Sequence, residues 1–224
     1  MVDLPKRMDR EKAHRMLTAV KTIYDAAGIP FYLAFGTFLG AIREHDFIEH
    51  DGDIDIFVMG KDIDKSKSVD KEFKAFSLSC AGCGASLQSS GKRLQAQVTG
   101  PKEVYGTLKL DVYSLILFRG VYWYVRLVNR NRTSDGCPML PNDLGRTCEY
   151  ALPFHAKYFR TPEYAMLHGE RYLVPCRPVE LLNSMWGNAD QWKTPSRGQF
   201  GYQMLGVWFR QGEIQDEHNP VIGK

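Results

Sequence analysis

The stretch FGTFLGAIREHDFIEHDGDIDIFV, residues 35–58, decides the fold of this chain because it joins a glycine-framed turn to a run of closely spaced acids. Asp51, Asp53 and Asp55 stand at alternate positions within it. Two carboxylates drawn to about 5 Å repel each other by roughly 3 kcal/mol at an effective dielectric constant of about 20. This cost predicts a cation, or another compensating group, between the acids.

The composition is that of an ordinary folded protein, with 44% hydrophobic and 25% charged residues in 224. A chain of this size and apolar content can bury a substantial core, which excludes disordered and collagen-like classes. The net charge of +3 is small and the basic residues are scattered along the chain. We therefore expect no nucleic-acid partner.

The chain lacks any run of about eighteen apolar residues, and its first residues lack the apolar core of a signal peptide. These features predict a cytoplasmic protein without a transmembrane segment, and they leave peripheral membrane association open. The five cysteines are an odd number, which favours reduced thiols over a disulfide framework. Cys80 and Cys83 have the spacing of half a zinc site, but a second close pair of Cys or His is missing, so zinc is the less favoured alternative.

Apolar spacing predicts the elements of the first half of the chain. Residues 10–27 carry apolar positions at helical spacing and end before Gly28 and Pro30, where a helix should stop. The next expected elements are a buried strand at 31–35, a turn at Gly36, a short helix at 37–44, a strand at 54–59 and a helix at 62–73.

The later segments carry mainly strand and turn patterns. They predict strands at residues 93–99, 107–118 and 121–128. Arg119 and Gly120 are the expected hairpin turn between the last two strands. Residues 129–147 predict an irregular loop, followed by short helical pieces, the clearest at 177–186 with Pro178 in its first turn. Helices combined with late hairpin strands favour the α+β class, with a mixed α/β sheet, over a regular run of βαβ units.

Side chains alternate between the two faces of a strand, so the three aspartates are expected on one face and Ile54 and Ile56 on the other. The apolar face would contact the core and the acids would line a cleft. Hard oxygen ligands of this kind suit Mg²⁺ or Mn²⁺, which often bind substrate phosphate as well. A solvated acidic edge is the alternative for these acids, and their spacing does not fit an EF-hand calcium loop.

The segment before the acids predicts a phosphate site. A strand that enters Gly36 and Thr37 and leaves as a short helix can present backbone N–H groups and a hydroxyl to phosphate, since glycine has no Cβ to block the approach. The Gly-Thr pair alone is a common turn. Followed by a strand that opens with Asp53 and Asp55, it is the arrangement with which enzymes of the nucleotidyltransferase fold hold a nucleotide phosphate over a metal ion.

These residues resemble the LicD and fukutin-related family, whose signature contains G-T-L-L-G-A-x-R followed by F-I-P-W-D-x-D-x-D-I. The chain has GTFLGAIR at 36–43 and DFIEHDGDIDI at 46–56. A looser similarity at 169–195, GERYLVPCRPVELLNSMWGNADQWKTP, extends the resemblance over most of the chain. The chain departs from the family at residues 49–50, which are Pro-Trp there, and at Gly52, where the family often has an acid.

The resemblance implies one catalytic domain over residues 1–224, with a nucleotidyltransferase-like mixed sheet flanked by helices. Its core would span about 10–128, and a helical and loop part about 129–224. The implied reaction transfers a phospho-alcohol, such as phosphocholine or a polyol phosphate, from a CDP-linked donor to a glycan or polyol hydroxyl. The alternatives are a nucleotidyltransferase that moves NMP from an NTP to a small molecule or protein, and a catalytically silent module that binds nucleotide or glycan.

The resemblance also implies roles for single residues. The expected substrate-binding residues are Gly36, Thr37, Arg43 and Asp51. The expected ligands of Mg²⁺ or Mn²⁺ are Asp53, Asp55 and Asp111, and the expected catalytic residues are these three together with Arg43.

Two of these roles also have support from the residues themselves. Asp111 is the only acid in the apolar segment TLKLDVYSLILF at 107–118, and a lone buried acid is costly unless it is paired or bound to a metal. The alternative for Asp111 is a salt-bridged strand acid. Arg43 offers a fork of donors that suits phosphate, with a surface helix arginine as the alternative.

Overall fold

The computed structural model describes residues 7–60, 62, 65, 69–81, 95–118, 120–128, 147–186, 191–194, 207–210 and 213–216. Predictions that fall elsewhere, such as the loop at 129–146 and the role of Cys83, lie outside these residues. Within the described part, no helix combines the length and the apolar character that a membrane span requires.

The helices are α1 (Arg10–Ala26), α2 (Phe35–Arg43), α3 (Asp70–Ala75), α4 (Lys102–Tyr105) and α5 (Pro178–Trp186). The strands are β1 (Phe31–Leu33), β2 (Ile54–Met59), β3 (Ser79–Ala81), β4 (Gln95–Thr99), β5 (Lys109–Phe118), β6 (Val121–Val128), β7 (Thr147–His155), β8 (Glu163–Leu167), β9 (Glu170–Val174), β10 (Val207–Arg210) and β11 (Glu213–Asp216). Short 3₁₀ turns lie at Ala156–Phe159 and Gln191–Lys193.

Helix α1 confirms the helical pattern predicted at 10–27. Asp9 caps the helix by accepting a hydrogen bond of 3.1 Å from the backbone N–H of Lys12, which satisfies one of the unpaired donors at the helix start. The helix ends at Ala26, and the chain turns at Gly28, whose φ of +64° suits glycine. Its buried face consists of Ala13, Met16, Leu17, Val20, Ile23 and Tyr24.

The prediction of a turn at Gly36 was wrong, because α2 already begins at Phe35 and Gly36 lies in its first turn. The change of direction falls on Phe35, which has a φ of +41°. Its ring packs edge-on against Phe57 and Tyr113, with ring centroids 5.0 Å away in each case. This burial among aromatic rings holds a backbone conformation that a side chain of this size rarely adopts.

Within the described residues, β1 to β7 form one mixed sheet in which β2 and β5 are parallel and the other paired strands are antiparallel. The order is β1, β2, β5, β4, β3, and β6 pairs with β5 and β7. This mixed sheet with flanking helices confirms the α+β prediction. Strands β8 and β9 form a separate hairpin, and β10 and β11 pair antiparallel with each other.

The strand predictions at 54–59 and 121–128 are confirmed, and the hairpin turn before β6 contains Gly120, with a φ of +79°. The helix predicted at 62–73 is shifted, since α3 spans Asp70–Ala75. The part beyond residue 129 was expected to be helical and irregular, but it also contains β7 to β11. Those strands were missed because their apolar residues do not alternate cleanly, which weakens the strand signal.

Strand β2 lies in the interior of the sheet and is buried along its whole length. Ile54 and Ile56 are 0% exposed, and Phe57 on the opposite face is only 1% exposed. The expected division into one apolar face and one acidic face therefore holds only at the start of the strand. Asp51 and Asp53 precede β2, so the three aspartates do not form a continuous ladder on one strand.

The prediction of reduced thiols is wrong for Cys80. Cys80 on β3 is disulfide-bonded. A disulfide sulfur is not a thiolate and so cannot serve as a zinc ligand. Cys176 is a free, buried thiol whose Sγ donates to the carbonyl of Lys157 at 2.9 Å.

Candidate metal and phosphate site

Three carboxylates meet where the parallel strands β2 and β5 lie side by side. Asp55 and Asp111 are direct partners in the register of these strands, and Asp53 immediately precedes β2. One carboxylate oxygen from each residue lies within 4.8 Å of the other two. We call Asp53, Asp55 and Asp111 the acidic triad.

The donors of the acidic triad fit a hard divalent cation. All three offer carboxylate oxygens, the ligands that Mg²⁺ and Mn²⁺ take in proteins. Asp55 and Asp111 are only 6% and 4% exposed, so solvent does little to screen their mutual repulsion. The expected proximity of Asp111 to the other two acids is therefore found, through the parallel pairing of their strands.

The electrostatics of the triad are those of a site with excess negative charge. Burial raises the pKa of Asp55 well above its ordinary value, and the neighbouring charges of Asp53 and Asp51 raise it further. Burial also raises the pKa of Asp53, with a further contribution from Asp111. A bound cation would favour the ionised carboxylates and so oppose both shifts.

Asp51 lies next to the triad but outside the group of three. Its Oδ1 accepts a hydrogen bond of 2.9 Å from the backbone N–H of Gly52. Burial, followed by the charge of Asp53, raises the pKa of Asp51 to about 6. A Cβ added to Gly36 would overlap the Asp51 carboxylate, so a larger residue here would displace the acid that packs against α2.

Thr37 contacts the backbone of a triad residue. Its Oγ1 accepts a hydrogen bond of 2.9 Å from the N–H of Asp55, while the N–H of Ala34 donates to the Asp55 carbonyl at 3.0 Å. Thr37 is 1% exposed. The residues at the start of α2 therefore fix the backbone that carries the Asp55 carboxylate.

Arg43 lies at the end of α2 and its guanidinium contacts other parts of the protein. Nε and Nη2 donate to Oε1 of Glu44 at 3.1 and 2.5 Å, and Nη1 donates to the carbonyl of Trp192 at 3.0 Å. The side chain is 11% exposed. These contacts tie α2 to the turn at Gln191–Lys193.

Three polar residues around the triad were missed by the sequence analysis. Nε2 of Gln97 donates to Oδ1 of Asp111 at 2.8 Å, and the hydroxyl of Tyr113 hydrogen-bonds to the Asp55 carboxylate. Nζ of Lys109 lies 3.9 Å from a carboxylate oxygen of both Asp53 and Asp111. Alternation along β5 is a signal that could have found two of them, because residues 109, 111 and 113 share a face.

A cavity of about 660 Å³ lies away from the triad. It is lined in part by Phe31, Tyr164 and Arg171. Phe31 pairs with Val58, near the end of β2, whereas the triad lies at the start of that strand, next to Ile54. This cavity therefore does not contain the acids.

Residues 28–126 match the family model described as LicD/FKTN/FKRP, nucleotidyltransferase domain. No curated protein matches the chain. Among solved structures, the chain is similar to the crystal structure of the lincosamide antibiotic adenylyltransferase LnuA, lincomycin-bound. The two chains share 11% identity with a TM-score of 0.42, over 79% of this chain and 86% of the other.

Proposed function

Residues 28–126 belong to the LicD/FKTN/FKRP nucleotidyltransferase family, and from this premise we propose that the protein is a metal-dependent phosphotransferase. It moves a phospho-alcohol, such as phosphocholine or a polyol phosphate, from a CDP-linked donor to the hydroxyl of a glycan or polyol. The observation that carries the proposal is the acidic triad, whose three carboxylates converge within 4.8 Å inside the matched segment.

The triad residues are the proposed ligands of Mg²⁺ or Mn²⁺. When bound, such a cation neutralises charge on the donor diphosphate and on the leaving phosphate. Gln97 donates to one oxygen of Asp111 and so orients the carboxylate, and the Tyr113 hydroxyl does the same for Asp55. Partners of this kind hold ligands in place and tune their affinity for a metal.

The proposed reaction balances as a substitution at phosphorus. The oxygen of the acceptor hydroxyl bonds to the phosphorus that carries the alcohol, and the bond from that phosphorus to the bridging oxygen breaks. CMP leaves with the electron pair of that bond. The proton of the acceptor hydroxyl is accepted by a triad carboxylate, for which Asp111 is the first candidate. Most of the rate enhancement would come from positioning and charge neutralisation.

The substrate-binding residues of the proposal are Gly36, Thr37, Arg43 and Asp51. The start of α2 supports this role, since a helix N-terminus of this kind directs backbone N–H groups towards an anion. Arg43 has five N–H donors, of which three contact Glu44 or Trp192, so the guanidinium retains donors for a phosphate. The proposed catalytic unit is the whole chain, residues 1–224.

Transfer of a nucleotide is the second candidate function. It is favoured by the description of the matched family model as a nucleotidyltransferase domain. In this reaction the acceptor oxygen attacks the α-phosphorus of an NTP, and pyrophosphate leaves. The same carboxylates and the same helix N-terminus would serve it, because both reactions neutralise charge around a phosphorus atom.

A donor screen tests the proposal. The protein is incubated with Mn²⁺, glycan or polyol acceptors, and one of CDP-choline, CDP-ribitol, CDP-glycerol or an NTP. Release of CMP that is lost in the Asp55→Ala variant supports phospho-alcohol transfer. Release of pyrophosphate from an NTP, without CMP from any CDP-alcohol, would favour nucleotidyl transfer over phospho-alcohol transfer. If neither CMP nor pyrophosphate is released, both candidate functions are overturned.

A further inference from the structure

Lys109 is the cation nearest to the acidic triad among the ion pairs of the described residues. It is the first residue of β5 and lies on the same face as Asp111. Its Nζ is 3.9 Å from Oδ2 of Asp53 and 3.9 Å from Oδ2 of Asp111. The ammonium therefore lies between two of the three carboxylates that are the proposed metal ligands.

The geometry of these contacts is that of a loosely held counter-ion. Hydrogen bonds between nitrogen and oxygen are about 2.7–3.2 Å long, so at 3.9 Å the ammonium is attracted by charge without a directional bond. The Lys109 side chain is 41% exposed, and its four-carbon stem is flexible. The Lys109 ammonium is therefore free to move when the charge of the site changes.

A divalent cation and the Lys109 ammonium compete for the same carboxylates. Both are positive, and both would use oxygens of Asp53 and Asp111. The cation carries twice the charge of the ammonium and prefers the same hard oxygen donors. A bound cation would therefore repel the ammonium from the carboxylates, and the exposed side chain of Lys109 could extend into solvent.

We propose that Lys109 couples metal binding to donor binding: it offsets part of the negative charge of the triad before the cation binds and contacts the diphosphate of the donor afterwards. This inference rests on the proposed function, which supplies a phosphorylated donor at this site. An ammonium with three donors on a flexible stem is suited to phosphate oxygens that approach a metal from the solvent side.

Calorimetric titrations of wild type and Lys109→Met test the inference, with Mn²⁺ alone and then with CDP as the probe at saturating Mn²⁺. The variant should bind Mn²⁺ several-fold more tightly because the competing ammonium is gone. It should bind CDP about tenfold more weakly because a phosphate contact is lost. A merely structural lysine would not shift the two affinities in opposite directions.

Two further variants serve as controls. Lys109→Arg keeps the charge and should stay closer to wild type than Lys109→Met in both titrations. Lys74→Met removes a lysine from the exposed pair with Asp70 on α3 and should leave both affinities unchanged. Equal or weaker Mn²⁺ binding by Lys109→Met, or unchanged CDP binding, overturns the role of Lys109.

The Asp53→Asn, Asp55→Asn double variant separates this inference from the proposed function. If wild type binds Mn²⁺ and the double variant does not, the proposed metal site is supported. The titrations of the Lys109 variants then test the role of Lys109 separately. If Mn²⁺ binds equally to both, or to neither, the proposed metal site fails and the inference fails with it.

Discussion

The hydroxyl of Thr37 accepts a hydrogen bond of 2.9 Å from the backbone N–H of Asp55, so a residue of α2 fixes the position of a triad carboxylate on β2. The bond lies in the interior, with Thr37 1% exposed and Asp55 6% exposed. The threonine of the Gly-Thr motif thus has a structural role, whether or not its hydroxyl also contacts a phosphate.

Replacement of Thr37 by valine should destabilise the protein by about 1–3 kcal/mol, because the buried N–H of Asp55 loses its acceptor. Thr37→Ser keeps an acceptor and should lose less. Urea unfolding of both variants measures the difference. Equal stability of the valine and serine variants would contradict a structural role for the hydroxyl.

Mn²⁺ should raise the melting temperature of wild type, because ligand binding to the folded state stabilises it. The Asp53→Asn, Asp55→Asn variant should lose this increase. In the absence of metal, Asp53→Asn should be as stable as wild type or slightly more stable, because like charges no longer repel. Thermal unfolding with and without MnCl₂ measures the melting temperatures of all three proteins. An equal increase with Mn²⁺ in wild type and the double variant would contradict the proposed metal site.

Gln97→Leu should weaken Mn²⁺ binding by about tenfold, because Asp111 loses the donor that orients it. The fold should be largely unaffected, since Gln97 is only half-buried. Thr99→Ala is the matched control, as Thr99 lies two residues further along β4 on the same face and is exposed. Calorimetry that finds equal Mn²⁺ affinity in both variants and wild type would remove Gln97 from the site.

Gly36→Ala should destabilise the protein by about 1–3 kcal/mol, because its Cβ would overlap the Asp51 carboxylate. Asp51→Ala in the same chain removes the overlap, so the double variant should recover part of the loss. Gly52→Ala is the control, since a Cβ there meets nothing within 4 Å. Equal costs at positions 36 and 52 would show that the contact with Asp51 is unimportant.

The Glu180 carboxylate should give a pH-dependent contribution to stability. Its hydrogen bond with Lys157 lowers its pKa below the ordinary 4.5, so the stabilisation is present above that pH and is lost as the pH falls through the lower folded-state pKa. Glu180 is 43% exposed, so solvent screening limits the contribution to less than about 1 kcal/mol. Urea unfolding of wild type and Glu180→Gln should differ at pH 7 and converge as the pH falls below the lowered pKa of Glu180, whereas a constant difference would contradict this origin.

The sequence by itself determined the elements with strong local patterns. The apolar periodicity of α1, the β-branched and aromatic run of β6 and the proline at the start of α5 each depend on neighbours a few residues away, and the structure confirms these elements. The chain also carries the motif that resembles the LicD and fukutin-related family, and the segment that the family model matches contains that motif. The isolated acid of an apolar strand was enough to single out Asp111.

Only the tertiary structure decided which side chains meet. Parallel pairing of β2 with β5 sets Asp55 beside Asp111, and antiparallel pairing of β4 with β5 brings Gln97 to the same carboxylate. A shift of one residue in either register would turn these side chains to the opposite face, and local patterns do not fix the order of strands in a sheet. The close contact of Gly36 with the Asp51 carboxylate likewise comes from the tertiary structure, because a helix and a loop approach each other there only in the folded chain.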